Sequence, residues 1–320
     1  MNRTIRVKDF LQSDAVELQL KLEAGKEGLD GIIDSSRIQK PGLALTGFTE
    51  FIHKNRVQII GSTELAFLER MTPEERKNAC ETFCAAGITV IMSTKGMQLP
   101  TVLKDICNAS QTPLLSTPQL TSVFISRIEN WLEDKLAPNT VMHGVLMESY
   151  GVGVLLIGKS GIGKSETALE LIERGHRLVA DDIVRIKKKG TETVYGTGEK
   201  RFQHHTEIRG LGILNIKDLF GISAVRDKKR IDLVVELVTW SENEEYDRLG
   251  LEERRFPILD VELPLLTVPV RPGRNMGTIV EVAARNHVLK SMGVHSAQAL
   301  QDTLSKELAP GRRKHTDDVE

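Results

Sequence analysis

The chain reads as a two-domain α/β protein, a small N-terminal α/β domain followed by a phosphate-loop core, and three observations carry that reading. Short apolar runs of strand length alternate with helix-period segments through most of the 320 residues. The octapeptide Gly158-Lys159-Ser160-Gly161-Ile162-Gly163-Lys164-Ser165 matches every fixed position of the pattern G-x-x-x-x-G-K-[ST]. A chain of this length with 40% hydrophobic residues can bury two cores, and the pattern changes near residue 135.

Residues 1–134 are assigned to the first domain. Helical patterns at 14–23, 73–86 and 99–110 alternate with short apolar strands at 57–60 and 88–91. Residues 117–134 have the pattern of an amphipathic helix capped near Thr117 or Thr121, and Leu136-Ala137-Pro138-Asn139 is the expected linker. This domain carries no chemical motif. The second domain runs over 135–310, and residues 311–320 form a polar tail expected to be disordered.

Composition excludes several classes. Lys and Arg total 43 against 44 Asp and Glu, so the whole chain has no charge-driven attraction to nucleic acid or anionic lipid. No 18-residue apolar span is present and residues 1–10 lack the apolar core of a signal peptide, which points to a soluble cytoplasmic protein. Cys80 and Cys84 lie four apart in one helical stretch, with Cys107 elsewhere; an odd count argues for small core residues rather than disulfides. A zinc site lacks a fourth ligand, since His53 is the only histidine in the first 140 residues.

The second domain opens with an alternating strand over 140–148, in which Val141, His143, Val145 and Met147 share a face. Taken alone, a histidine on an apolar face is first a satisfied core residue. Its strand, however, turns at Ser149-Tyr150-Gly151 into the apolar run 152–157 that feeds the phosphate loop, so His143 is placed beside that loop. After the loop, Thr167, Ala168, Leu169, Leu171 and Ile172 recur at helical spacing up to Gly175. Strand, glycine turn and helix give the motif its context: amides approach phosphate oxygens, Lys164 reaches the β/γ oxygens, and the Ser165 hydroxyl can hold Mg²⁺.

A second strand, 177–180, ends in Asp181-Asp182, only 17 and 18 residues beyond Lys164. One crossover helix fits in that interval, so the strand is expected close to the first with both carboxylates at the carboxyl edge. One carboxylate can steady a Mg²⁺ shell while the other accepts a proton from an incoming hydroxyl. A solvated Asp-Asp turn is the plain alternative.

These features, with His143-Gly144 and above all Glu207-Ile208-Arg209-Gly210-Leu211-Gly212-Ile213-Leu214-Asn215, resemble the HPr kinase/phosphorylase family, through nearly the whole chain and most strongly from 140 to 290. The resemblance implies a catalytic core of phosphoenolpyruvate carboxykinase-like type. It implies that Gly158 to Ser165 bind ATP, or pyrophosphate, with Lys164 on the transferred group and Mg²⁺ on Ser165 and Glu207. It also implies that Asp182 is the proton acceptor in serine phosphorylation and the proton donor in the reverse reaction, with His143 and Arg248 completing the catalytic set. The implied partners are the phosphocarrier HPr, inorganic phosphate and further copies of this chain in a hexamer, with no nucleic acid or membrane; the implied consequence is control of sugar uptake and of the carbon catabolite response.

Local chemistry weighs these roles unequally. Arg248 lies in an acidic run with Glu242, Glu244 and Glu245, where spacing alone favours a solvated charge cluster. His204-His205 has no third partner at zinc spacing, whereas Glu207 with Ser165 suits a hard, oxygen-loving cation. Pro269-Val270-Arg271-Pro272-Gly273-Arg274 is a stiff basic loop; the resemblance assigns it to dephosphorylation, in which phosphate attacks phosphoserine and pyrophosphate forms, and a subunit contact is the equal alternative. Residues 278–292 read as an amphipathic helix with Ile279, Val282, Ala283, Val288 and Leu289 on its apolar stripe. A metabolite or phosphoenolpyruvate carboxykinase-like enzyme and a nucleotide-dependent switch are the competing classes. The switch loses ground because neither N-K-x-D nor L-S-G-G-Q occurs.

Overall fold

The structure, a computed structural model, describes residues 3–199, 202–242, 254–295 and 299. The tail expected from residue 311 and Arg248 both lie outside the described residues. The chain is mixed α/β and divides into two compact units, residues 1–138 and 139–320. Among the described residues no helix is long and apolar enough to cross a membrane.

The first unit contains β1 (Ile5–Arg6), β2 (Lys21–Ala24), β3 (Ile32–Ile33), β4 (Val57–Ile60), α1 (Ser62–Arg70), α2 (Pro73–Ala85), β5 (Val90–Ser93), α3 (Thr101–Ala109), β6 (Leu114–Ser116) and α4 (Thr121–Leu136). Its main sheet has the order β2-β6-β5-β4, parallel except at β2. Both faces are covered, which is why β4 and β5 are apolar almost without interruption. One face packs Ile60 and Ile91 against α1, α2 and α3, and carries all three free cysteines, each buried. The other packs Ile59 and Met92 against Phe124, Ile128 and Leu132 of α4.

Three expectations in this unit are corrected. Residues 14–23 are not one helix: a 3-10 segment, Ser13–Leu18, ends where Gln19 turns left-handed at φ 52°, and Lys21 enters the sheet opposite Ser116. Neither threonine caps α4. The Thr117 hydroxyl donates to the Leu18 carbonyl at 2.9 Å, and the Thr121 hydroxyl pairs with that of Thr94 at 2.7 Å. The strand expected at 88–91 sits two residues later, because Gly87, at φ 77°, is still turning out of α2.

The second unit contains β7 (Asn139–His143), β8 (Val145–Ser149), β9 (Val152–Gly158), α5 (Lys164–Glu173), β10 (Arg177–Ala180), β11 (Ile183–Lys189), β12 (Thr193–Thr197), β13 (His205–Ile208), β14 (Gly212–Asn215), α6 (Ile216–Phe220), β15 (Lys228–Arg230), β16 (Leu233–Thr239), β17 (Arg255–Ile258), β18 (Val261–Val270) and α7 (Met276–Ser291). It is built in three layers. A six-stranded sheet, β10-β8-β9-β16-β18-β17, has α5 and α7 on one face and a four-stranded sheet, β15-β12-β11-β7, on the other. Val154, Leu156 and Val235 point to the helices, while Leu155 and Val234 point to Val184 and Ile186 of the smaller sheet.

The strand expected over 140–148 is in fact two strands in two sheets. A Cβ on Gly144 would lie 2.6 Å from the Leu156 carbonyl oxygen, so the chain crosses between layers at the one residue that permits the approach. His143 therefore pairs opposite Ile183 of β11, not beside the strand that feeds the phosphate loop, and its exposed ring is no core residue. The hairpin β8–β9 turns at Tyr150 and Gly151, both left-handed, as a tight two-residue connection requires.

Helix α7 begins with the Asn275 side chain accepting from the Thr278 amide at 2.7 Å. Its buried residues are Met276, Gly277, Val280 and Ala284, with Ile279, Ala283 and Val288 packed alongside. Val282 and Leu289, expected on the stripe, are exposed, since the face turned to the core is centred one position away.

Candidate functional site

Three parallel strands set the site. β9, β16 and β18 run together in register, Gly158 opposite Leu237 and Thr239 opposite Val270, so their carboxyl ends form one edge. β10 is antiparallel to β8, which is antiparallel to β9; it reaches the same edge, but with β8 between rather than directly beside β9. Residues 158–165, 181–182 and 269–274 all leave from that edge, as do residues 240–242 after β16. Ligands of open α/β sheets bind at such an edge.

The loop from β9 to α5 is shaped by its glycines. Gly158 has φ 145° and a Cβ there would stand 2.4 Å from the Leu237 oxygen; Gly161 and Gly163 have φ 78° and 105°. A Cβ built on Gly163 would meet no atom within 4 Å, and the first amides of α5, the groups that bind anions at helix N-termini, follow it directly. Lys164 extends back along the loop, its ammonium donating to the carbonyls of Gly158 and Lys159 at 3.1 Å each. Lys159, Ser160 and Ile162 complete the turn, with Ile162 packed on the helical core.

The two aspartates take different environments. Asp181 is largely enclosed: its Oδ1 accepts from the Ser165 hydroxyl at 3.0 Å and from the Asp182 amide at 2.9 Å, and its Oδ2 accepts from the Thr206 hydroxyl. Burial pushes its carboxyl above the usual range and outweighs these three donors, which act in the opposite direction. Asp182 projects into solvent from a left-handed backbone at φ 62°, and its Oδ1 stands 3.7 Å from His143 Nδ1. The Gly144 amide donates to the Asp182 carbonyl at 3.0 Å, fixing that turn against β7.

Thr206 is the residue sequence reasoning missed. In β13 its side chain and that of Ile208 face inward while His205 and Glu207 face outward, so an alternation count over 205–208 contains the signal. Through Thr206, the hairpin β13–β14 is fastened to Asp181 with Glu207 as the adjacent exposed carboxylate. Arg209 leans on the phosphate loop: a Cβ on Gly161 would come within 2.8 Å of its guanidinium. Gly210 and Gly212 are left-handed, Leu211 and Ile213 are exposed, Leu214 is half-buried, and the Asn215 side chain caps α6 by accepting from Lys217 and Asp218 amides at 3.1 and 3.4 Å.

The loop after β18 is held to the end of β16. The Arg271 guanidinium carbon sits 3.4 Å from the centre of the Trp240 ring, and Arg274 donates to the Pro269 carbonyl at 3.1 Å. Pro272 and Gly273, at φ 79°, make the turn between the arginines. The structure thus gathers Ser165, Asp181 and Thr206 in one hydrogen-bonded group and sets the His143 ring 3.7 Å from the Asp182 carboxylate.

Comparison with known proteins gives the chain its family. Residues 134–304 match the family model described as HPr Serine kinase C-terminal domain, and residues 5–132 match HPr Serine kinase N terminus. The chain belongs to the HPr serine kinase family. The HPr kinase/phosphorylase of Geobacter sulfurreducens is 51% identical over 301 residues, 94% of each chain; that of Geobacillus kaustophilus is 46% identical over 307 residues, 96% of this chain and 97% of its own. Among solved structures, the Hpr(Ser) kinase/phosphatase from Coxiella burnetii aligns with 53% of this chain and 99% of its own, at 31% identity and a TM-score of 0.46. The relatives are named as kinase/phosphorylases, so the chain is a member of an enzyme family, and membership of a kinase family implies nucleotide use.

Proposed function

We propose that the chain phosphorylates a serine of HPr with ATP, or pyrophosphate, and removes that phosphate by phosphorolysis. The observation that supports this best is the exposed Asp182 carboxylate beside His143, on the same sheet edge as Lys164 and the phosphate loop. In the forward direction the serine oxygen attacks the γ-phosphorus, the bond to the bridging oxygen breaks to leave ADP, and the hydroxyl proton passes to Asp182. In the reverse direction an oxygen of inorganic phosphate attacks the phosphoserine phosphorus, the bond to the serine oxygen breaks with Asp182 returning the proton, and pyrophosphate leaves.

Lys164 neutralises charge on the transferred group, and His143 orients and polarises the Asp182 carboxylate. Ser165 offers a hydroxyl and Glu207 an exposed carboxylate, hard oxygen donors that fit Mg²⁺, a cation that keeps several waters. Ser165 and Glu207 would hold it, and when bound it supplies positive charge to the phosphate oxygens. Asp181 holds the Ser165 hydroxyl in place and ties Thr206, and so Glu207, to the loop. Arg248 joins the catalytic set on family grounds, and Arg271 and Arg274 bind the second anion of the phosphorolytic direction.

The domain assignment accompanying this reading is 1–134 as the N-terminal α/β domain, with no role assigned to it, and 135–310 as the kinase/phosphorylase catalytic domain. A homohexamer, a cytoplasmic location and control of sugar uptake and the carbon catabolite response follow from the same family reading. The test is Asp182→Asn: ATP binding is retained, while phosphoserine on HPr, read by mass spectrometry, is lost together with phosphate-dependent pyrophosphate release. Full serine phosphorylation by that variant refutes the role of Asp182.

A further inference from the structure

The two arginines after β18 are held in different ways. The Arg274 amide donates to the Arg271 carbonyl at 3.2 Å, with Pro272 and Gly273, at φ 79°, between them, the residue pattern of a type II turn. The Arg274 guanidinium is tied to the backbone, donating to the Pro269 carbonyl at 3.1 Å. Arg271 is exposed, and its guanidinium carbon lies 3.4 Å from the centre of the Trp240 ring, van der Waals contact between two flat groups. An edge-on guanidinium at that separation would drive a nitrogen into the ring, so the two planes are stacked. The five N–H donors lie in the guanidinium plane and are therefore not directed at the indole. Among the described residues no carboxylate or carbonyl accepts from them.

The sheet places Trp240 for this contact. Trp240 follows directly on β16, its amide donates to the Val270 carbonyl at 3.4 Å, and Thr239 pairs opposite Val270, so ring and arginine leave adjacent parallel strands side by side. Leu237, three residues earlier, lies opposite Gly158. The ring thus stands on the strand beside the phosphate loop, roughly 10 Å beyond the first residue of that loop at the usual rise of a strand. A guanidinium with unused donors is fixed at the edge where the loop and Asp182 also lie.

An arginine on a surface loop samples many rotamers, and ordering them opposes binding. The stack supplies that order before a ligand arrives. It occupies the face of the guanidinium and leaves the fork, whose geometry matches two oxygens of a phosphate.

We propose that Trp240 is a positioning residue for the phosphorolytic direction, holding Arg271 as a preformed fork for the phosphate group that lies outside the phosphate loop. Resting on the phosphorolytic reading of the site, this role separates the two arginines: Arg271 contacts the anion and Arg274 holds the turn. The group recognised is a phosphate dianion, either free orthophosphate or the phosphoserine of the protein substrate.

The test compares the full chain with Trp240→Leu, Trp240→Phe, Arg271→Ala and the double variant Trp240→Leu/Arg271→Ala. Phosphate-dependent release of pyrophosphate from phosphoserine-HPr is measured against the concentration of each substrate. Trp240→Leu is expected to raise one of the two KM values about five- to tenfold with kcat within about twofold, and Trp240→Phe, which keeps a weaker ring face, to fall between. A rise confined to orthophosphate assigns the fork to the free ion; one confined to phosphoserine-HPr assigns it to phosphoserine. The double variant matches Arg271→Ala alone, since loss of the platform has no further effect once the arginine is gone. Binding of orthophosphate and of O-phosphoserine, titrated by phosphorus NMR in a Lys164→Ala background, gives the same order of dissociation constants without turnover. A parent chain that releases no pyrophosphate therefore defeats the phosphorolytic reading, and the binding order still decides the role of Trp240. Additive losses in the double variant, equal effects of Leu and Phe, or unchanged affinity for both probes overturn that role.

Discussion

Asp181 offers the sharpest test of the site, because its charge and its hydrogen bonds have opposite effects on stability. Burial holds its carboxyl above the ordinary range, so the fold favours the neutral form: that contribution is complete below the unfolded value and is lost as pH rises through the folded one. Once ionised, the group therefore weakens the native state. Asp181→Asn removes the charge but keeps an oxygen for Ser165 and the Asp182 amide, while its new NH₂ can donate to a reoriented Thr206 hydroxyl. This variant is expected to be at least as stable as the parent at neutral pH and to converge with it in acid. Asp181→Ala leaves three donors without an acceptor. Thr206 is only 4% exposed and bears the full cost of an unmet buried group, and the two partly wet donors add less, for a total of about 2–4 kcal/mol. Urea unfolding read by Trp240 in a Trp131→Phe background measures this, since the two tryptophans fall one in each unit. Both variants are expected to lose serine phosphorylation by about 100-fold or more, as the Ser165 hydroxyl and the β13 hairpin lose their charged anchor. Equal destabilisation by Asn and Ala refutes the reasoning.

Two further outcomes follow from the two units separately. In the first, Lys104 at 2.7 Å, Ser116 at 2.9 Å and Lys21 at 3.4 Å bring Glu23 down to about 2, so Glu23→Gln is expected to cost about 2 kcal/mol at neutral pH. Because the folded value is the lower one, that penalty fades as pH falls from about 4.5 toward 2, and a penalty independent of pH in acid unfolding curves refutes it. In the second, Gly144→Ala forces a methyl to within 2.6 Å of the Leu156 oxygen and is expected to lower stability by about 1–3 kcal/mol. An unchanged Trp240 unfolding midpoint sinks that estimate.

What the sequence revealed was chiefly local. The phosphate loop, its strand and its helix are contiguous, so pattern and turn chemistry located them within a residue or two. Alternation across Val141, His143, Val145 and Met147 continues unbroken, yet the chain changes sheets at Gly144, because the deciding contact comes from Leu156, twelve residues away. The segment 14–23 has helical spacing, but Lys21 to Ala24 pair with residues near 115, and that long-range sheet contact overrides local preference. The Asp181–Thr206 bond spans 25 residues and has no signature at either end. Residue types named the chemistry; the brace that positions it became visible only in three dimensions.

The crossing at Gly144 also fixes how the enzyme fails. One residue separates His143, in the outer sheet, from Val145, sealed among the helices, so the histidine has no slack of its own. The smaller sheet cannot peel away as an independent flap without dragging the central strands with it. Loss of turnover on heating should then track the cooperative melting of the whole second unit, with no earlier, milder inactivation while the layers remain sealed.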